Sequence, residues 1–148
     1  MNNGMIFTFN SKGKEAVGVG ATPEGGGIST FNSNGKRIVE LGVTMNNGGA
    51  IATFDSKGKR IVAVGAAMNN GGAIATFDSK GKRIVAVGAA QEGGTISLFD
   101  PKGKRIVAMG ATSEGGGITT LNSKEKPLVR LGATKFGLNG IFVRFEMP

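Results

Sequence analysis

The sequence predicts an all-β protein of six tandem β-hairpin repeats, each of 22–23 residues, laid out as an antiparallel meander. Three observations predict it. Residues Met45–Ala67, MNNGGAIATFDSKGKRIVAVGAA, recur letter for letter as Met68–Ala90. Looser copies fill the rest of the chain, each anchored on a Phe that precedes Asn or Asp and then Gly-Lys: Phe9, Phe31, Phe54, Phe77 and Phe99, with Leu121 in the sixth copy. Within each copy, two short runs of β-forming residues flank a connector that contains Gly.

In chain order the repeats occupy about 1–26, 27–49, 50–72, 73–94, 95–117 and 118–140, with a final strand in 141–148 that begins at Ile141. Met1-Asn2-Asn3-Gly4 repeats Met45-Asn46-Asn47-Gly48, so the start is in phase with the repeat and one repeat domain is expected, without a separate N-terminal domain.

One copy shows how the unit folds. Ile51-Ala52-Thr53-Phe54 and Arg60-Ile61-Val62-Ala63-Val64 are the β-runs, and Asp55-Ser56-Lys57-Gly58-Lys59 joins them. The connector suits a type I turn followed by a left-handed Gly, which makes a bulge. The fifth copy agrees, because Pro101 fills the second turn position, where its fixed φ belongs. The sixth copy has Glu125 where Gly is expected, at a cost of roughly 1 kcal/mol, and a looser turn is expected there. The other connectors, Met-Asn-Asn-Gly-Gly or x-Glu-Gly-Gly, read as a second and more variable turn region.

The turn sets an expected register: Phe54 opposite Arg60, Ala52 opposite Val62 and Ala50 opposite Val64. Alternation then gives one face Ala52, Phe54, Val62 and Val64, and the other Ile51, Thr53, Ile61 and Ala63. Ala63 is replaced by Glu40 and Arg130 in other copies, which marks its face as the wet one. The expected core or oligomer face is therefore Phe31, Phe54, Phe77 and Phe99 with Val62, Val64, Val85 and Val87. Thr8, Thr30, Thr53, Thr76 and Thr120 recur on the wetter face, where β-propensity accounts for them.

A β-solenoid would stack Lys59, Lys82 and Lys104 about 4.8 Å apart, and like charges placed directly opposite are destabilising. A meander spaces the same position every second strand, roughly 9.6 Å, and is preferred. Its apolar face needs a second layer. Self-association is expected to supply it, through a homotrimeric β-prism first and a dimeric sandwich second. The pattern Gly-Gly-x-Ile-x-Thr-Phe-(Asn/Asp)-x-x-Gly-Lys-x-(Ile/Leu)-Val-x-x-Gly resembles uncharacterised Gly-rich hairpin-repeat proteins of bacteria. It is also similar in style to the triangular β-prism shafts of phage and bacterial surface fibres. The resemblance covers the whole chain and implies a trimeric shaft, with no ligand and no functional residue carried over.

Composition argues against catalysis. The chain has no Cys, His, Trp or Tyr, so the usual nucleophile, base and zinc ligands are missing. Its ten acids are scattered about one per connector, and no carboxylate pair is fixed by sequence. Gly25-Gly26-Gly27 and Gly115-Gly116-Gly117 open no helix and do not read as phosphate loops. No enzyme activity, cofactor or metal is expected. No apolar run has signal-peptide or membrane-spanning length, so the expectation is a cytoplasmic protein by default, or part of a phage or surface fibre.

Charge carries the functional signal. The formal net charge is +8, and most of the eighteen basic residues lie at the Gly-Lys turns. Lys36, Arg37, Lys59, Arg60, Lys82, Arg83, Lys104 and Arg105 form the expected basic edge. Glu24, Glu92 and Glu114 lie on the opposite edge and are the expected assembly partners at the prism corners. The leading expectation is a rigid oligomeric shaft, spacer or fibre segment. The alternative is a module that binds a polyanion, nucleic acid or acidic glycan, along the basic edge. Sequence-specific reading is not expected, because no Tyr or Trp is present to stack on bases.

Overall fold

The hairpin register comes from two irregularities, shown here in the repeat of residues 50–72, and only the first is written in glycine. In the computed structural model, which describes residues 4–22, 25–44, 47–66, 71–90, 93–112, 115–132 and 140–143, the turn after Phe54 closes as expected. The Asp55 N–H donates to the Lys59 carbonyl at 2.8 Å, and the Gly58 N–H donates to the Asp55 carbonyl at 2.9 Å. Gly58 sits at φ 83°, the left-handed region that a Cβ disfavours. The second irregularity follows at once. Phe54 pairs with Arg60, but Thr53 pairs with Val62, so Ile61 is an extra residue without a partner.

All described structure is strand and turn. The strands are β1 (Met5–Phe9), β2 (Glu15–Thr22), β3 (Gly25–Phe31), β4 (Arg37–Val43), β5 (Gly49–Phe54), β6 (Arg60–Ala66), β7 (Gly72–Phe77), β8 (Arg83–Ala90), β9 (Gly93–Phe99), β10 (Arg105–Thr112), β11 (Gly115–Leu121), β12 (Pro127–Gly132) and β13 (Gly140–Val143). The chain forms two compact units, Met1–Gly81 and Lys82–Pro148. In the first, β1 to β7 pair in chain order, each antiparallel to the next. In the second, β8 to β13 do the same. The meander of hairpins is thus the architecture, and β13 adds one more strand beside β12.

The extra residue overturns the expected faces. The register places Ile51 opposite Val64 and Ala52 opposite Ala63. Residues paired across strands share a face. One face of β5 and β6 therefore carries Ile51, Thr53, Val62 and Val64, and the other carries Ala50, Ala52, Phe54, Ala63 and Gly65. The expected grouping of Phe54 with Val62 and Val64 is wrong, and so are its copies. Phe31 lies on the face opposite Val39 and Leu41, and Phe99 on the face opposite Val107 and Met109. Phe77 shares the face of Ala75 and Ala73, opposite Ile74 and Thr76. Val85 and Val87 pair with Leu98 and Ile96. The physical cause is that a bulge sets two residues against one, and here the extra residue is an ordinary β-former. Alternation counted from the turn cannot detect it.

The corrected faces are chemically distinct. The first, called here the aliphatic face, holds Ile28, Thr30, Val39, Leu41, Ile51, Thr53, Val62, Val64, Ile74 and Thr76 in the first unit. The second, the small-residue face, holds mostly Gly, Ala and Ser with the Phe of the first five repeats and Leu121 of the sixth, and also Met5, Phe7, Thr119, Glu40 and Arg130. Glu40 and Arg130, expected on the face opposite the Phe, lie on the face of the Phe. Its glycines let neighbouring backbones approach. A Cβ at Gly65 would stand 2.7 Å from the Gly49 carbonyl oxygen and 2.8 Å from the Ala50 Cβ.

The sixth turn also departs from expectation. Glu125 takes φ 60°, and the turn closes with the same two bonds: Glu125 N–H to the Asn122 carbonyl at 2.8 Å and Asn122 N–H to the Lys126 carbonyl at 2.9 Å. The flanking strand pairing holds the turn shut, so the strain is borne at one residue and does not loosen the loop.

Neither unit has an interior of its own among the described residues. Ala52 is the one buried hydrophobic side chain there, and no described side chain is fully buried. Ile51, Leu41, Ile74 and Val64 on the aliphatic face stay 40–46% exposed.

Candidate functional site: a stitched basic edge and a glycine-floored groove

The turns of a meander alternate between its two edges, so within each unit the Gly-Lys turns share one edge. Each turn is first pinned to itself. The Asp55 carboxylate accepts the N–H groups of Lys57 at 2.9 Å and Lys59 at 2.8 Å. Asn10, Asn32 and Asn122 accept in the same way through their side-chain oxygens, as does Asp100. The short side chain thus satisfies two backbone donors that a five-residue loop leaves open. The Lys59 N–H bond, then that of Lys57 and the two nearby ammonium charges, hold the Asp55 carboxyl below the ordinary carboxylate value.

The turns are then tied to one another. The Lys59 Nζ donates to the Ser79 carbonyl at 2.8 Å, the Lys82 Nζ to the Pro101 carbonyl at 3.0 Å, and the Lys104 Nζ to the Ser123 carbonyl at 2.6 Å. Asn32 makes the equivalent, longer contact from its Nδ2 to the Ser56 carbonyl, at 3.5 Å. The last Lys of one turn therefore reaches the second residue of the next. Sequence reading placed these lysines on the edge but missed this contact. The only available signal was the constant offset of 19–20 residues between donor and acceptor.

Lys36, Arg37, Lys59, Arg60, Lys82, Arg83, Lys104 and Arg105 are all exposed. Two of the arginines lean back onto the small-residue face: Arg37 pairs with Glu40 at 2.7 Å, and the Arg83 guanidinium lies 5.9 Å from the centre of the Phe99 ring. The expected acidic partners Glu24, Glu92 and Glu114 lie outside the described residues.

A groove of about 450 Å³ opens on the small-residue face of β1 to β4. Gly18, Gly20, Gly27 and Gly42 floor it, Met5, Phe7 and Phe31 wall it, and Glu15, Arg37 and Glu40 supply charge. Sequence reading missed it, because it joins two hairpins and uses Gly18 and Gly27 where the exact repeats carry Ala63 and Ala50. No group of three or more potential ligands that could hold a metal ion occurs among the described residues, and no helix there is long and apolar enough to cross a membrane.

No family model matches the chain, and no curated protein matches it either.

Proposed function

We propose that this chain is a non-enzymatic structural protein that works as a self-associating rigid shaft, spacer or fibre segment. The observation that carries the proposal is that, among the described residues, no layer packs on the strands of either unit. The chain exposes 10490 Å², whereas a compact monomer of 15.1 kDa exposes about 7,100 Å². The excess is roughly 3,400 Å² per chain, or about 6,800 Å² for two chains, as large as the most extensive obligate interfaces, which bury about 5,000 Å² and more counted over both partners. A layer with an exposed aliphatic face is completed by another layer.

The corrected faces bear on the number of chains. A three-sided prism is narrow and is best filled by small residues. The aliphatic face presents Ile, Val, Leu and Thr, which fill the roughly 10 Å between two stacked sheets. A two-layer stack is therefore favoured over the trimeric prism. A protein whose folding depends on assembly melts at a temperature that rises with its own concentration. A melting temperature constant over a hundredfold range of concentration would refute the proposal.

The basic edge supports a second reading, polyanion binding, because the turns align ammonium groups on one side of each unit. Retention on heparin or DNA that falls steeply with salt is the expected result for that reading. A pure shaft elutes at low salt.

A further inference from the structure

We infer that the aliphatic face is the surface on which copies of this chain meet, with a second copy lying on it as the second layer of a sandwich. The inference rests on the self-associating reading and adds to it the face and the occupant.

Two observations select this face. The first is charge. From Ile6 to Leu131, the described positions of the aliphatic face carry no Asp, Glu, Lys or Arg, whereas the opposite face takes Glu40 and Arg130 at the position of Ala63. An interface core is depleted of charge, and a wetted face is not. The second is the shape of the side chains. Ile, Val, Leu, Met and Thr stand on one side of every strand. On the other side, Gly65 and Gly110 bring backbone to the surface, and a Cβ at Gly110 would lie 2.9 Å from the Gly94 carbonyl oxygen. Interdigitation needs the former surface. A second copy is the occupant because the face offers no feature that only a different partner would match. The same rows of apolar side chains recur at every hairpin and complement themselves across a twofold axis.

The test exploits the absence of native Cys. Single substitutions Ile74→Cys on the aliphatic face and Ala75→Cys on the small-residue face place one thiol on either side of β7. The rate of maleimide labelling is measured on the folded full chain, alongside its mass in solution. The expected result is an assembled protein in which the thiol of I74C reacts at least tenfold more slowly than that of A75C. An assembly that protects A75C instead, or neither thiol, overturns the inference and leaves self-association standing. A single-chain mass with both thiols reactive overturns both. If the protein is monomeric and I74C becomes protected only on adding phospholipid vesicles, the face belongs to a lipid surface and the second copy is ruled out. A charge test runs in parallel: Ala63→Glu, which copies Glu40, leaves the mass unchanged, and Val64→Lys weakens association at least a hundredfold. Equal effects of the two contradict the face assignment.

Discussion

Thr53 stands opposite Val62, and this one pairing decides which residues of the repeat share a face. It exists because Ile61 is extruded from the ladder between Arg60 and Val62. Deleting Ile61 therefore leaves Thr53 opposite Val62 and removes only a residue that is 38% exposed. The expected cost is on the order of 1–2 kcal/mol, the partial burial of one Ile. Deleting Ala63 brings Val64 opposite Ala52 and moves the rest of β6 to the wrong face, which is expected to abolish the cooperative transition. Urea denaturation of the two deletions checks this. Equal losses would show that the bulge is absent.

Glu125 adopts the conformation that Gly58 adopts in its own turn, φ 60° against 83°. Glu125→Gly is expected to stabilise the protein by a little under about 1 kcal/mol, since the turn is already closed and the strain released outweighs the long, exposed bond that the Glu125 Oε1 accepts from the Arg105 N–H at 3.4 Å. Gly58→Ala is expected to cost a similar amount. Denaturant midpoints of the two variants should move in opposite directions.

The Asp55 carboxyl titrates below its ordinary value because the folded turn donates two N–H bonds to it. A depressed folded-state value means that the ionised form favours folding. This contribution is fully present above the unfolded-state value and is lost as pH falls through the folded one. Stability measured from pH 7 downward should hold until the ordinary carboxylate range and then decline. Asp55→Asn, which imitates Asn32, should keep the turn and flatten the share of that decline due to residue 55.

The lysines that stitch the turns are exposed, so each contact is worth little, about 0.5 kcal/mol in line with exposed charged pairs. The triple variant Lys59→Met, Lys82→Met, Lys104→Met should stay folded with a slightly lower melting temperature. If the edge binds a polyanion, the slope of log affinity against log salt should shrink by about 0.9 for each of these residues that meets a phosphate. Isothermal titration with duplex DNA at several salt concentrations reads this directly.

Much of the architecture was legible in the residues. The exact copy at 45–90 gave the period, and Asn or Asp with Gly at fixed offsets gave each turn. The charge spacing separated meander from solenoid. Gly58 announced its bulge because only glycine is at ease at that φ. Ile61 announced nothing, since a residue extruded from a ladder pays no penalty specific to its type. That silence misplaced Val62, expected opposite Ala52 and found opposite Thr53, and with it the face that Phe54 shares. The groove beside Phe7 and the bond from Lys59 to Ser79 were hidden for another reason: both join residues of different hairpins, and single-repeat reading stops at the hairpin's edge.

The central claim is that a sheet without a covering layer is completed by another copy of itself. The most direct measurement is the absolute mass of the folded chain in solution, by light scattering on a sizing column. The account predicts two chains. A single species of 15.1 kDa, unchanged at the highest concentration, would contradict it.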